Sequence, residues 1–135
     1  MEKIKFKEEN IQKMMKALKR ALDRLDKNTE NEDIEFLYDS IVARFKILIE
    51  SVWKHIKLSL EQQGFLDVPS SPKGVLHFAR EVNFLFQNEY DKLIDYLALR
   101  NLASHLYDEP QYALVAQAVP EAYRVIKQII GRLAI

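Results

Sequence analysis

Arg100-Asn101-Leu102-Ala103-Ser104-His105-Leu106-Tyr107 gathers a guanidinium, an imidazole and a phenol within eight residues. Arginine holds a phosphate through two parallel N–H donors, and histidine exchanges protons near neutral pH. Together these types suit a site that handles a phosphodiester or a nucleotide. On a straight helix Asn101 and His105 project from one face, with Arg100 and Ser104 on a neighbouring face, joined by Tyr107 if the helix persists. Arg100 and His105 are five residues apart, roughly 140° around the axis. One straight helix therefore aims them poorly at a single small ligand. Convergence requires a helix end that bends here, or a second copy of the motif from a partner subunit. Cationic side chains also cap helix C-termini, where free carbonyls accumulate. Spacing alone leaves the functional and the capping readings both open.

The other candidate groups are weaker. His55 follows Trp53 and Lys54, and His77 precedes Phe78; neither has a second histidine or a carboxylate at a convincing metal-ligand spacing, and no HExxH pattern occurs. Both read as partly buried structural histidines, and Trp53 as a core or interface anchor. No metal or cofactor is implied. Lys13, Lys16, Lys19 and Arg20 form a basic stripe, with Lys54 and Lys57 adding charge further on. Such a stripe is either a solvated face or a surface that tracks phosphates. Ser70-Ser71-Pro72-Lys73-Gly74 lacks the glycine spacing of a P-loop and reads as ordinary helix capping. Asp108 and Glu109 have no partner that would make an acid–base dyad.

These residues must be positioned by helices. The 135 residues are the size of one compact domain, 1–135, with 48% hydrophobic and 30% charged residues. Twenty basic residues balance twenty acidic ones, so no global field draws the chain to nucleic acid or anionic lipid. An RNA-binding role needs a local basic patch. Cysteine is absent, which removes disulfides, thiolate metal sites and thiol nucleophiles. No signal-peptide core and no run of about 18 apolar residues is present, so a cytoplasmic location and no membrane association are expected.

Helical periodicity places a first helix from about Glu8 to Leu25, carrying Ile11, Met14, Leu18 and Leu22. A long second helix starts near Ile34 and stops at Gly64, a residue suited to the left-handed turn beyond a helix end. Ser71 and Pro72 read as the N-cap and first residue of a third helix. A break is predicted near Asn88, and a fourth helix then leads into Arg100–Tyr107. Asp108-Glu109-Pro110 starts a last helix, in which Pro120 predicts a kink or a restart. There is no strand-period alternation, internal repeat or low-complexity tract. The expected fold is all-α, an antiparallel up-and-down bundle of four to five helices.

The Arg100–Tyr107 stretch resembles the HEPN superfamily signature, R-x4-6-H. It is closest to the R-x4-H-x-Y branch that holds HepT-type toxins and nucleotidyltransferase substrate-binding proteins. Ile41-Val42-Ala43-Arg44-Phe45, Val52-Trp53-Lys54, Ser71-Pro72-Lys73 and Tyr107-Asp108-Glu109 follow the same pattern in order, from about Ile34 to the C-terminus. Lys46 departs from it where relatives often carry an acidic residue, and Leu93 where an aromatic is usual. The resemblance implies a HEPN-like homodimer with two motifs facing each other, which answers the spacing problem. It implies metal-independent RNA cleavage, with Arg100 on the scissile phosphate and His105 as general base or acid. Asn101 and Ser104 orient these groups, and Tyr107 contributes near the cleft. The implied partner is a minimal nucleotidyltransferase encoded nearby, which silences the toxin by adenylylating Tyr107. Two alternatives remain: a non-catalytic subunit that binds nucleotide or substrate for a nucleotidyltransferase, and a helical dimerisation module with a purely structural motif.

Overall fold

A computed structural model describes residues 2–27, 34–105 and 109–134. Five helices follow one another: α1 (Glu2–Lys27), α2 (Ile34–Gln62), α3 (Pro72–Glu81), α4 (Gln87–Ser104) and α5 (Glu109–Leu133). No strand occurs among the described residues. The architecture is an all-α up-and-down bundle. α2 is its axis and packs against each of the other four helices. At 29 residues it is about 43 Å long.

The apolar repeat explains that central place. Ile41, Phe45, Leu48, Val52, Ile56 and Leu60 recur every three or four residues of α2, and all are buried. α1 meets them with Ile11, Met15, Leu18 and Leu22, and α5 with Val115, Val119, Ile126 and Ile130. Each such side chain taken from water contributes about 1.5–3 kcal/mol before the entropy of ordering it is counted. α1 begins earlier than periodicity predicts, because Lys3, Lys5, Lys7, Glu8 and Glu9 are good helix formers that show no apolar stripe.

The helix ends follow from local chemistry. Gly64 adopts a φ of 95° beyond α2, and the Phe65 N–H turns back to the Leu60 carbonyl at 3.2 Å. Ser71 caps α3 by accepting the Gly74 N–H at 3.1 Å, with Pro72 in the first helical position. A Cβ on Gly74 would sit 2.6 Å from Ser71 Oγ and 2.8 Å from Pro69 Cβ, so this close turn needs glycine. The break before α4 lies at Val82–Phe86, earlier than the predicted Asn88. Asn83 takes a φ of 62°, a left-handed conformation its short polar side chain tolerates. The Phe84 and Leu85 N–H groups both donate to the Ala79 carbonyl. The Glu89 carboxylate then accepts the Phe86 N–H at 2.8 Å and starts α4. α5 runs through Pro120 without a restart. Buried Ala116, Val119, Ala122 and Ile126 on either side of the proline hold one continuous helix despite the lost backbone hydrogen bond.

Of the two histidines read as structural, only His55 is buried; His77 is exposed and contacts Arg80 and Glu81 at the surface. His55 Nδ1 lies 3.1 Å from Ser59 Oγ. Its Nε2 has no hydrogen-bond partner among the described residues and stands 3.9 Å from a Glu8 carboxylate oxygen. Burial lowers the His55 pKa, and the nearby Glu8 charge offsets this in part. The folded chain therefore binds this proton less readily than the unfolded chain. The corresponding stability is present above pH 6.5, the ordinary value, and is lost as pH falls below it. Urea midpoints measured at pH 7.5 and 5 should separate more for the native chain than for His55→Met. An equal separation in both would show that His55 is not the group responsible.

Candidate active site

The end of α4 lies against the middle of α2, and the contact is made by Arg100. Its Nη1 donates to Glu50 Oε2, while Nε and Nη2 donate to Asn101 Oδ1 at 3.1 and 2.6 Å. A guanidinium only donates, so the Asn101 atom facing it is the amide oxygen. Glu50 also accepts the Trp53 indole N–H at 3.1 Å and lies 3.3 Å from Lys54 Nζ. Burial pushes the Glu50 pKa up, but the bonds from Trp53 and Lys54 and the charge of Arg100 outweigh it. The net shift is downward, and Glu50 is a firm anion that fixes the guanidinium plane.

Arginine has five N–H donors. Three are engaged with Glu50 and Asn101, leaving one on each terminal nitrogen without a partner among the described residues. Arg100 lines an open cleft of about 390 Å³ with Lys46, Ile47, Glu50, Ser51 and Ser104. Lys46 has no ion-pair partner among the described residues, so it adds an uncommitted positive charge to the cleft. The Ser104 hydroxyl donates to the Arg100 carbonyl at 3.1 Å, closing the last turn of α4.

α4 ends at Ser104, and His105 is its C-cap with φ −110° and ψ 2°. The His105 N–H turns back to the Leu102 carbonyl at 3.0 Å. Its backbone does the capping, while its side chain is exposed and has no hydrogen bond among the described residues. The residues between Arg100 and His105 are helical, so the roughly 140° offset is kept within one chain, and His105 is not among the residues lining the Arg100 cleft. Asn101, which helical spacing grouped with His105, instead accepts two bonds from Arg100, and Ser104 bonds only to the Arg100 backbone. Tyr107, the candidate modification site, lies outside the described residues together with Leu106 and Asp108.

Sequence reasoning missed Glu50. The only local signal was the Glu50–Lys54 pair four residues apart, an ordinary surface pattern on a helix. Its partnership with Arg100 spans 50 residues and is visible only in the fold. Trp53, read as an anchor, is buried and also contributes a hydrogen bond to this carboxylate. No described helix is long and apolar enough to cross a membrane.

The chain as a whole is similar to known proteins. A protein from Thermus thermophilus has 29% identity and a TM-score of 0.72, covering 91% of this chain and 98% of that one. A tri-AMPylated Shewanella oneidensis HEPN toxin, solved in complex with an MNT antitoxin, has 22% identity and a TM-score of 0.75 over 95% of this chain and 93% of its own. A mutant form of the toxin–antitoxin MntA-HpeT has 20% identity and a TM-score of 0.76 over 97% and 96%. The latter two share the fold with this chain. No curated protein sequence matches. The model of the family described as nucleotidyltransferase substrate binding protein like matches residues 9–133, and the chain belongs to that family.

Proposed function

We propose that this chain is the HEPN-toxin component of a toxin–antitoxin pair with a minimal nucleotidyltransferase, and that it is a metal-independent endoribonuclease. The observation that carries this reading is the guanidinium of Arg100. It is fixed from behind by Glu50 and Asn101, with two N–H donors left over an open cleft and His105 at the adjoining helix end. Fixed donors of this kind bind a phosphate and stabilise the charge that grows on it in the transition state. His105 moves the proton. The ribose 2′-oxygen bonds to phosphorus as the bond from phosphorus to the 5′-oxygen breaks. The 2′-OH proton goes to a base, and the leaving oxygen takes one from an acid. The products are a 2′,3′-cyclic phosphate and a 5′-OH end.

Two copies of the chain facing each other would supply two imidazoles and two guanidinium groups, one pair for each role. Tyr107, two residues beyond His105, is the candidate site for adenylylation by the partner, as the AMPylated state of the Shewanella toxin suggests. The test is RNA digestion in EDTA. The native chain should cut and leave cyclic-phosphate ends, and the Arg100→Ala/His105→Ala double variant should not. Cutting that survives the double substitution would remove the assignment.

A second reading has its own support. Glu50 already neutralises part of the Arg100 charge, and the family description concerns substrate binding to nucleotidyltransferases. On that reading Arg100 binds a nucleotide for a partner enzyme without cleaving RNA. Nucleotide binding that depends on Arg100, with no RNA cutting by the native chain, would favour it.

A further inference from the structure

The structure assigns a binding track for single-stranded RNA to the groove between α1 and α2, leading away from the Arg100 cleft. The direction of the track rests on the ribonuclease reading above; the binding surface itself does not. Three depressions join end to end. The Arg100 cleft shares Ile47 with a hollow of about 210 Å³ lined by Lys13, Met14 and Arg44. That hollow shares Ala17 and Arg44 with a larger one of about 720 Å³, lined among others by Arg20, Arg24, Lys27 and Phe36. α1 and α2 run antiparallel here, with Lys13 near Ile47 at one end and Lys27 near Phe36 at the other. From Lys13 to Lys27 the track rises about 21 Å along α1.

Its charge is one-sided in a chain whose total is balanced, with 20 basic and 20 acidic residues. Seven cationic side chains line the three depressions: the six at positions 13, 20, 24, 27, 44 and 46, and Arg100. Among the described residues, the carboxylates lining them are Asp23 and Glu50. Both of these are already neutralised. Asp23 is held by Lys19 at 2.6 Å, and Glu50 by Arg100 and Lys54. Lys13, Arg20, Arg24, Lys27 and Lys46 have no ion pair among the described residues, and Arg44 donates only to Ser40 Oγ. The basic stripe read from the sequence is therefore divided by the fold. Lys19 is spent on Asp23, while Lys13 and Arg20 turn into the groove.

Phe36 identifies the kind of polyanion. It is 74% exposed and lies among the arginines of the far depression. A bare aromatic ring beside a row of phosphate-binding cations is what an unpaired base stacks on. An acidic peptide would have no use for the ring, and a duplex keeps its bases stacked inside. A second copy of the chain is the rival occupant. A two-fold interface centred on the groove, rather than on the Arg100 cleft at its end, would set the unpaired cations of α1 and α2 against themselves.

Binding is measured with a fluorescein-labelled 20-nucleotide 2′-O-methyl uridine RNA, which has no free 2′-OH and is not cut by the proposed route. Anisotropy is followed from 50 to 200 mM salt, with sedimentation of each variant. Arg20→Ala/Arg44→Ala should weaken binding about ten-fold at 100 mM salt and reduce the slope of log affinity against log salt by about 1.4, roughly 0.7 for each phosphate contact removed. Phe36→Ala should weaken binding about ten-fold and leave the slope unchanged. Lys57→Ala, whose ammonium pairs with Glu61 at 3.0 Å outside the groove, should bind like the native chain. The track is overturned if the native chain does not bind at 50 mM salt. It is also overturned if the groove variants bind normally, or if their main effect is on sedimentation, which would mean that a second copy occupies the groove. Because no cleavage is involved, binding stands or falls apart from the ribonuclease assignment, which the EDTA digestion decides.

Discussion

Arg100→Ala should reduce RNA turnover by a factor of about 10²–10³, the usual loss when one fixed donor to a transition-state oxyanion is removed. Arg100→Lys should lose nearly as much. The guanidinium is one plane that satisfies Glu50 on one side, Asn101 on another and the cleft with what remains. A lysine ammonium is a single point charge on a flexible stem and cannot hold those contacts while facing a phosphate. Glu50→Gln is the more discriminating variant. It leaves Arg100 its full charge and removes the anion that fixes its plane. If Glu50 positions Arg100, substrate should bind as well or better while kcat falls. If Glu50 only competes with the phosphate, KM should fall with kcat unchanged. Steady-state kinetics on a short oligonucleotide separate the two, and an unaltered kcat would show that Glu50 is not a positioning residue.

The largest effect on stability is expected where α5 closes back on the start of α4. Glu89 is buried, accepts Arg132 Nε and Nη2 at 2.6 and 2.5 Å, and caps the Phe86 N–H with the same carboxylate. Arg132 also donates to the Phe84 carbonyl at 2.9 Å, and its guanidinium carbon lies 4.1 Å from the Phe86 ring centroid. Arg132→Ala strips all of this away and leaves a buried carboxylate unpaired. The cost should be about 2–3 kcal/mol, below that of a sealed ion pair because Arg132 is itself 34% exposed. Removing both charges, as Glu89→Gln/Arg132→Met, should cost less than Arg132→Ala alone. Urea midpoints of the three proteins give the comparison. A double variant no more stable than Arg132→Ala would overturn this account of the pair.

Much of the fold was legible in the chain, and for local reasons. Apolar spacing located α2 and its end at Gly64, and Ser71-Pro72 announced the start of α3, because periodicity and capping are set by neighbours within a turn. Where neighbours compete, the reading slipped. The break falls at Asn83, which takes a left-handed turn, and not near Asn88, since Glu89 is available to cap the helix that follows. Pro120 fails to restart α5 because burial on both sides of it outweighs one lost hydrogen bond.

The candidate site divides along the same line. The sequence by itself determined which groups are present: Arg100, Asn101, Ser104 and His105 fall within six residues, and a local motif needs no fold to be seen. Only the tertiary structure decided what they can do. Packing α4 on α2 gives Arg100 a carboxylate 50 residues away, while the helix that runs to Ser104 keeps His105 at the roughly 140° offset within one chain. The same packing sorts a basic stripe into paired surface charges and a lined groove. Residue type and spacing are properties of the chain, whereas the direction and pairing of long charged side chains depend on which helix face lies opposite.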